Sequence, residues 1–129
     1  RNTVAARLFL TRLFYETKKL PPDLLEFSLK VLEEKRAREI CLEVLREGVS
    51  VKGVKQEIWH SVADKSASLP HKTLIIWGAD DKITPLSQAY RGRRLIRNSK
   101  LIVFDRCGHL PQIEWPEKFN QSVLHFLKS

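Results

Sequence analysis

The stretch T-L-I-I-W-G-A-D-D-K-I-T-P, Thr73 to Pro85, decides how this chain is read. Its first five residues show no polar alternation, the pattern of a strand buried on both faces of a parallel sheet. Gly78 and the adjacent carboxylates Asp80 and Asp81 follow at the carboxyl end of that strand. Pro85 can open a helix through about Ile96, whose inner face would hold Ala89, Tyr90, Leu95 and Ile96. L-I-V-F, Leu101 to Phe104, reads as a second apolar strand, and after a loop Pro116 opens a last helix with Phe119, Val123, Phe126 and Leu127 inward. Strand, helix, strand, helix is an α/β signature with a parallel pair.

Upstream of Ser68-Leu69-Pro70 the period is helical. From Val4 to about Lys18, a stripe of Val4, Ala5, Leu8, Phe9, Leu13 and the stem of Arg12 predicts one helix, ended by Leu20-Pro21-Pro22. Pro22 and Asp23 suit the first turn of a second helix: proline lacks an N–H that is not needed there, and aspartate complements the positive helix end. The apolar stripe lapses at Glu33 to Arg36 and resumes until Gly48, so two helices meeting near Lys35 are expected. A further helix over roughly Val54 to Lys65 carries Ile58, Trp59 and Val62 on one side. The chain thus divides into a helical region, residues 1–68, and an α/β region, residues 69–129. Two strands cannot form a sheet covered on both faces, so further strands are expected outside this chain. With no methionine anywhere, the chain is expected to be a fragment or a processed product.

Composition narrows the function. The 129 residues are 43% apolar and 29% charged, as in a globular protein, with no low-complexity tract. Twenty-three Lys and Arg against 15 Asp and Glu leave a formal charge of +8, but the basic residues interleave with acids, as in E-E-K-R-A-R-E. That is a solvated helix face, and no nucleic-acid partner is expected. No run approaches the roughly 18 to 20 apolar residues of a membrane span. The basic, apolar amino terminus lacks a small-residue cleavage site and reads as a helix of the fold. A cytoplasmic location is favoured, although targeting cannot be read from this chain. Cys41 and Cys107 lack metal-ligand spacing and imply neither a disulfide framework nor a zinc site.

In an open parallel sheet the working groups lie past the carboxyl ends of the strands. The first strand delivers Asp80 and Asp81 to that edge, and the second delivers Asp105-Arg106-Cys107-Gly108-His109. A carboxylate beside an imidazole is the orienting acid and general base of a nucleophilic hydrolase. The two motifs G-A-D-D-K-I-T-P and G-H-L-P-Q-I-E-W-P-E-K-F, each after an apolar strand, resemble the C-terminal third of the α/β-hydrolase fold family. In that family Gly-x-x-Asp-x-x-x-Pro carries the triad acid and Gly-His-x-x-x-x-Glu-x-Pro-x-x-Phe the triad base. The resemblance implies Asp81 as the acid and His109 as the base. It extends more weakly over P-P-D-L-L-E-F to L-R-E-G, which is similar to the family's helical cap.

Asp80 is expected to do turn chemistry and Glu114 to bond backbone donors near the histidine loop or the last helix. His60, His71 and His125 belong to no motif. Cys107, two residues from His109, is set aside as a nucleophile because neighbours at that spacing do not face each other. Trp59, Ile83 and Leu110 are candidate pocket residues, with a core role open for Trp59.

The family's order is nucleophile, acid, base. None of the five glycines brackets a Ser, Asp or Cys as Gly-x-Ser-x-Gly would require. The expectation is therefore a partial serine-type α/β-hydrolase acting on an ester or a related acyl or C–C bond. Its partner would be a small molecule, an apolar ester or acyl compound, with no cofactor and no metal; the oligomeric state is open. The alternatives are a relative of epoxide hydrolases or dehalogenases with an Asp nucleophile, or a non-catalytic binding module. The epoxide branch implies two cap tyrosines, and only Tyr15 stands in the helical region. Residues 1–129 alone should turn over no p-nitrophenyl ester and should melt broadly, because T-L-I-I-W leaves an apolar strand edge unpaired. A sharp monomeric melt, or turnover lost on His109→Ala, would contradict this.

Overall fold

The structure, a computed structural model, describes residues 2–50 and 53–129. In chain order the elements are α1 (Asn2–Arg12), a 3-10 turn (Thr17–Lys19), α2 (Pro22–Glu33), α3 (Lys35–Gly48), β1 (Val49–Ser50), β2 (Gly53–Val54), α4 (Gln56–Ala67), β3 (Thr73–Gly78), α5 (Leu86–Leu95), β4 (Ser99–Phe104), α6 (Pro111–Glu114) and α7 (Pro116–Lys128). β3 and β4 pair in parallel, Thr73 opposite Ser99 through Gly78 opposite Phe104. α5, the crossover between them, packs on both strands, and α6 and α7 pack against β3.

Several boundaries follow the sequence. Pro22 stands at the start of α2 with Asp23 in the first turn, α2 and α3 part between Glu33 and Lys35, and α3 ends at Gly48. β1 and β2, an antiparallel pair of two residues each, were not expected. Strands this short carry no periodicity to read.

The first helix ends at Arg12, six residues before the expected Lys18. Leu13 and Tyr15 leave the helix because their backbone groups are used elsewhere: the Leu13 carbonyl accepts the His109 N–H at 2.7 Å, and the Tyr15 N–H donates to Glu114 Oε2 at 2.7 Å. Within a helix both groups would bond to residues four positions away. Phe14 is fully buried between them. The expected inner stripe is turned outward, with Val4, Leu8 and Phe9 exposed, while Leu10 and Phe14 enter the core. Tyr90 and Leu127 are likewise exposed, whereas Ala89 is buried and Phe119, Val123 and Phe126 are partly so. The side chain of Trp59, on α4, lies outside the described residues.

Among the described residues, Leu10, Phe14, Ala89, Phe104, Cys107 and Pro111 are buried, so most of this core sits where the first connection meets the carboxyl ends of the strands. There Gly78 lies against backbone: a Cβ on it would overlap the carbonyls of Cys107 and Gly108. A Cβ on Gly108 would come within 2.6 Å of the Leu13 carbonyl oxygen. Backbone cannot swing aside as a side-chain tip can. Gly78→Ala should therefore cost about 3 kcal/mol, as overpacking does in a site that cannot yield; an unchanged urea midpoint of the parent protein would contradict the close approach.

Candidate active site

The parallel register carries past the strands. The Ala79 N–H bonds the Phe104 carbonyl and the Asp80 N–H bonds the Cys107 carbonyl, each at 2.9 Å, so the two loops are tied together before either reaches its ionisable group. Arg106, with φ 52°, turns the second loop back.

Asp81 then meets His109, with Oδ2 at 2.8 Å from Nδ1. The same carboxylate organises its own turn: Oδ1 accepts the N–H groups of Ile83 (2.8 Å) and Thr84 (2.9 Å), and Oδ2 also accepts the Thr84 hydroxyl at 2.6 Å. This corrects the expected division of labour. Asp81 is the turn residue as well as the partner of His109, while the Asp80 carboxylate is exposed and that residue contributes its backbone N–H.

Only 4% of the Asp81 side chain is exposed, against 35% for His109. Burial alone would raise the Asp81 pKa, but the bonds from the Thr84 hydroxyl and N–H, from His109 and from Ile83 outweigh it and hold the carboxyl below its ordinary value. An ionised carboxylate can only accept, which assigns the shared proton to Nδ1; in the neutral imidazole that leaves the lone pair on Nε2. That arrangement is competent for general-base chemistry.

The histidine loop hangs on Glu114, which is 3% exposed. Its Oε1 accepts the Gly108 N–H and its Oε2 the Tyr15 N–H, so one side chain joins the loop, α6 and the connection after α1. The backbone-binding role expected of Glu114 is what the structure displays. Lys19 Nζ bonds the Glu114 carbonyl at 3.1 Å and lies 3.7 Å from the centre of the Trp115 ring. The Cys107 thiol is fully buried. Burial, with the Glu114 charge beside it, pushes its pKa up to about 12, so it stays a thiol at neutral pH.

A cavity of about 200 Å³ opens beside the pair, lined by Ile76, Trp77, Thr84, Pro111, Gln112 and Phe119 together with Gly78, Asp81 and His109. Ile83 and Leu110, the pocket residues chosen from sequence, are partly buried next to the pair but are not in that lining. Thr84 was missed. The signal was present as Asp-x-x-Thr, a spacing at which a carboxylate can accept both the N–H and the hydroxyl of the third residue on. Among the described residues no group of three or more His, Cys, Asp or Glu could hold a metal ion, and no helix is long and apolar enough to cross a membrane.

A family model described as alpha/beta hydrolase fold matches residues 11–116. The 2-hydroxy-6-oxononadienedioate/2-hydroxy-6-oxononatrienedioate hydrolase of Paraburkholderia xenovorans is 44% identical over 55 residues, 43% of this chain and 19% of that protein. The 2-hydroxymuconate semialdehyde hydrolase of Pseudomonas putida is 43% identical over 60 residues, 46% of this chain and 21% of that protein. Among solved structures, a meta-cleavage product hydrolase from Pseudomonas fluorescens superposes with a TM-score of 0.76 at 27% identity, covering 98% of this chain and 45% of that one. The 2-hydroxy-6-oxo-6-phenylhexa-2,4-dienoate hydrolase of a Rhodococcus strain shares the fold, with a TM-score of 0.77 at 20% identity over 98% of this chain and 44% of that one. The matched segments thus cover about a fifth of the length of these curated relatives, and the chain covers under half of the solved chains.

The lowered Asp81 pKa sets a pH dependence. Stability from the ionised group is complete above the ordinary carboxylate range and is lost as pH falls through the lower folded value. Asp81→Asn should cost about 1 to 3 kcal/mol at pH 7, with the gap to the unsubstituted protein narrowing in acid. Urea unfolding at both pH values checks this, and a gap of constant size would contradict it.

Proposed function

The chain belongs to the α/β-hydrolase fold family, and from that premise we propose that it supplies the acid, Asp81, and the base, His109, of a serine-type hydrolase that cleaves a carbon–carbon bond. The observation that carries this reading is the 2.8 Å contact between a four-times hydrogen-bonded carboxylate and an imidazole that leaves Nε2 as the base. The nucleophile would be a serine outside residues 1–129, since no Gly-x-Ser-x-Gly stands among them. Residues 1–68 would form the cap and residues 69–129 the last part of the core.

The relatives named above suggest the substrate class, a conjugated 2-hydroxy-6-oxo acid. Its C6 carbonyl is the electrophile. His109 Nε2 takes the serine proton as the hydroxyl attacks C6, and Asp81 stabilises the imidazolium. The C5–C6 bond then breaks. Moving the 2-hydroxyl proton to C5 beforehand gives the 2-oxo tautomer; as C5–C6 breaks, its electron pair forms the C4=C5 bond and passes through conjugation to the C2 oxygen, which takes up a proton. Water, deprotonated by His109, releases the acyl group from the serine. Hydroxide from water ends on the C6 acid and a proton on the carbon fragment, so the reaction needs no oxidant or reductant.

The test is turnover of a 2-hydroxy-6-oxo-dienoate by the parent protein, followed as loss of the conjugated chromophore. His109→Ala should lower kcat by about 10³ or more. Full activity in that variant would overturn the assignment of the base, and a parent protein that cleaves only simple esters would overturn the substrate class.

A further inference from the structure

We propose that Thr84 is a positioning residue: its hydroxyl locks the Asp81 carboxylate toward His109 and limits the carboxylate's pull on the imidazole proton. This deepens the reading above and rests on it. Thr84 is held at three points. Its N–H donates to Asp81 Oδ1 at 2.9 Å, its carbonyl accepts the Trp77 Nε1–H at 3.2 Å, and its hydroxyl donates to Asp81 Oδ2 at 2.6 Å. Pro85, next in the chain, restricts the Thr84 backbone to extended conformations. The side chain is therefore placed by its backbone, independently of His109.

Two consequences follow from that placement. Oδ1 is anchored by two N–H groups and Oδ2 by a hydroxyl, so rotation of the carboxylate away from the imidazole would break bonds on both oxygens. The hydroxyl proton is committed to Oδ2, and the lone pairs of Oγ1 are then free to face Nδ1, 3.3 Å away. The Nδ1–H is thus directed between Oδ2 at 2.8 Å and Oγ1 at 3.3 Å. A second donor on Oδ2 also draws charge from the oxygen that faces the Nδ1–H.

Other charged groups surround the pair without sharing these bonds. Asp80 and Lys82 flank Asp81 and are exposed. From the histidine loop come Asp105 and Arg106, both exposed, and Cys107, held as a thiol. The Glu114 carboxylate on α6 is committed to Gly108 and Tyr15, while Lys19 reaches the carbonyl of Glu114 and Glu16 is bonded to Lys18. Among the described residues, hydrogen bonds to Oδ2 come from Thr84 and His109 alone.

The experiment compares Thr84→Val, Thr84→Ala and Thr84→Ser in the parent protein by the pH profile of kcat/KM and by kcat and KM at pH 7. Removing the hydroxyl should lower kcat about tenfold with KM unchanged and move the acid limb up by about half a unit, since the freed carboxylate holds the imidazolium more firmly. Serine should restore both. A fall in melting temperature or rate with the limb unmoved would reduce Thr84 to a structural residue and overturn the proposal, as would serine behaving like valine. If valine does not fold, alanine gives the same reading, because it removes the hydroxyl without placing a methyl against the carboxylate. Loss of activity in His109→Ala with no change in either hydroxyl-free variant would sink this inference alone; activity retained in His109→Ala would sink the function beneath it.

Discussion

The ends of the two parallel strands approach so closely that backbone meets backbone, with Gly78 against the carbonyls of Cys107 and Gly108. The rest of the candidate site depends on that contact. It lets the Asp80 N–H reach the Cys107 carbonyl, which sets the loops side by side and brings Asp81 and His109 within hydrogen-bond distance although they are 28 residues apart. It also turns backbone groups of the histidine loop inward, away from water, where each needs a partner. Glu114 and the Leu13 carbonyl supply those partners for Gly108 and His109. Phe14, fully buried among them, excludes solvent from the same bonds.

Holding a general base in place requires stiffness in its partner more than strength in any one bond. Asp81 reaches that stiffness by doing two tasks with one carboxylate, accepting from the Ile83–Thr84 turn and from His109. The turn therefore cannot relax without disturbing the imidazole. The same bonds hold the carboxyl pKa below its ordinary value, so Asp81 faces His109 as a charged carboxylate at neutral pH. The thiol of Cys107, two residues before His109, stays protonated at neutral pH because burial and the Glu114 charge raise its pKa.

Among the described residues, the helical half of the chain bonds this centre through Leu13, Tyr15 and Lys19. Of the buried apolar residues, Leu10 and Phe14 come from the first 68 positions, and they flank the segment that bonds the histidine loop. Farther along, Phe27, Ile40, Leu42 and Val44 are exposed. The main chain of His109 is thus tied directly to the connection that leads into α2, through the Leu13 carbonyl and, by way of Glu114, the Tyr15 N–H.

Sequence by itself determined the parallel pair, the helix starts at Pro22 and Pro116, the break near Lys35, the stop at Gly48, and the pairing of the Asp81 loop with the His109 loop. Each of these is a local property: apolar runs without alternation, proline at a first turn, and ionisable residues at a fixed offset beyond a strand. The family membership was legible for the same reason, since the two motifs are short and contiguous. Tertiary structure alone decided where α1 ends, which of its faces is buried, which atoms of Asp81 serve the turn and which the histidine, and that Thr84 rather than Ile83 lines the cavity. These depend on partners 25 to 99 residues away, as in Thr84 with His109 and Tyr15 with Glu114, and no local period records a hydrogen bond that long in sequence.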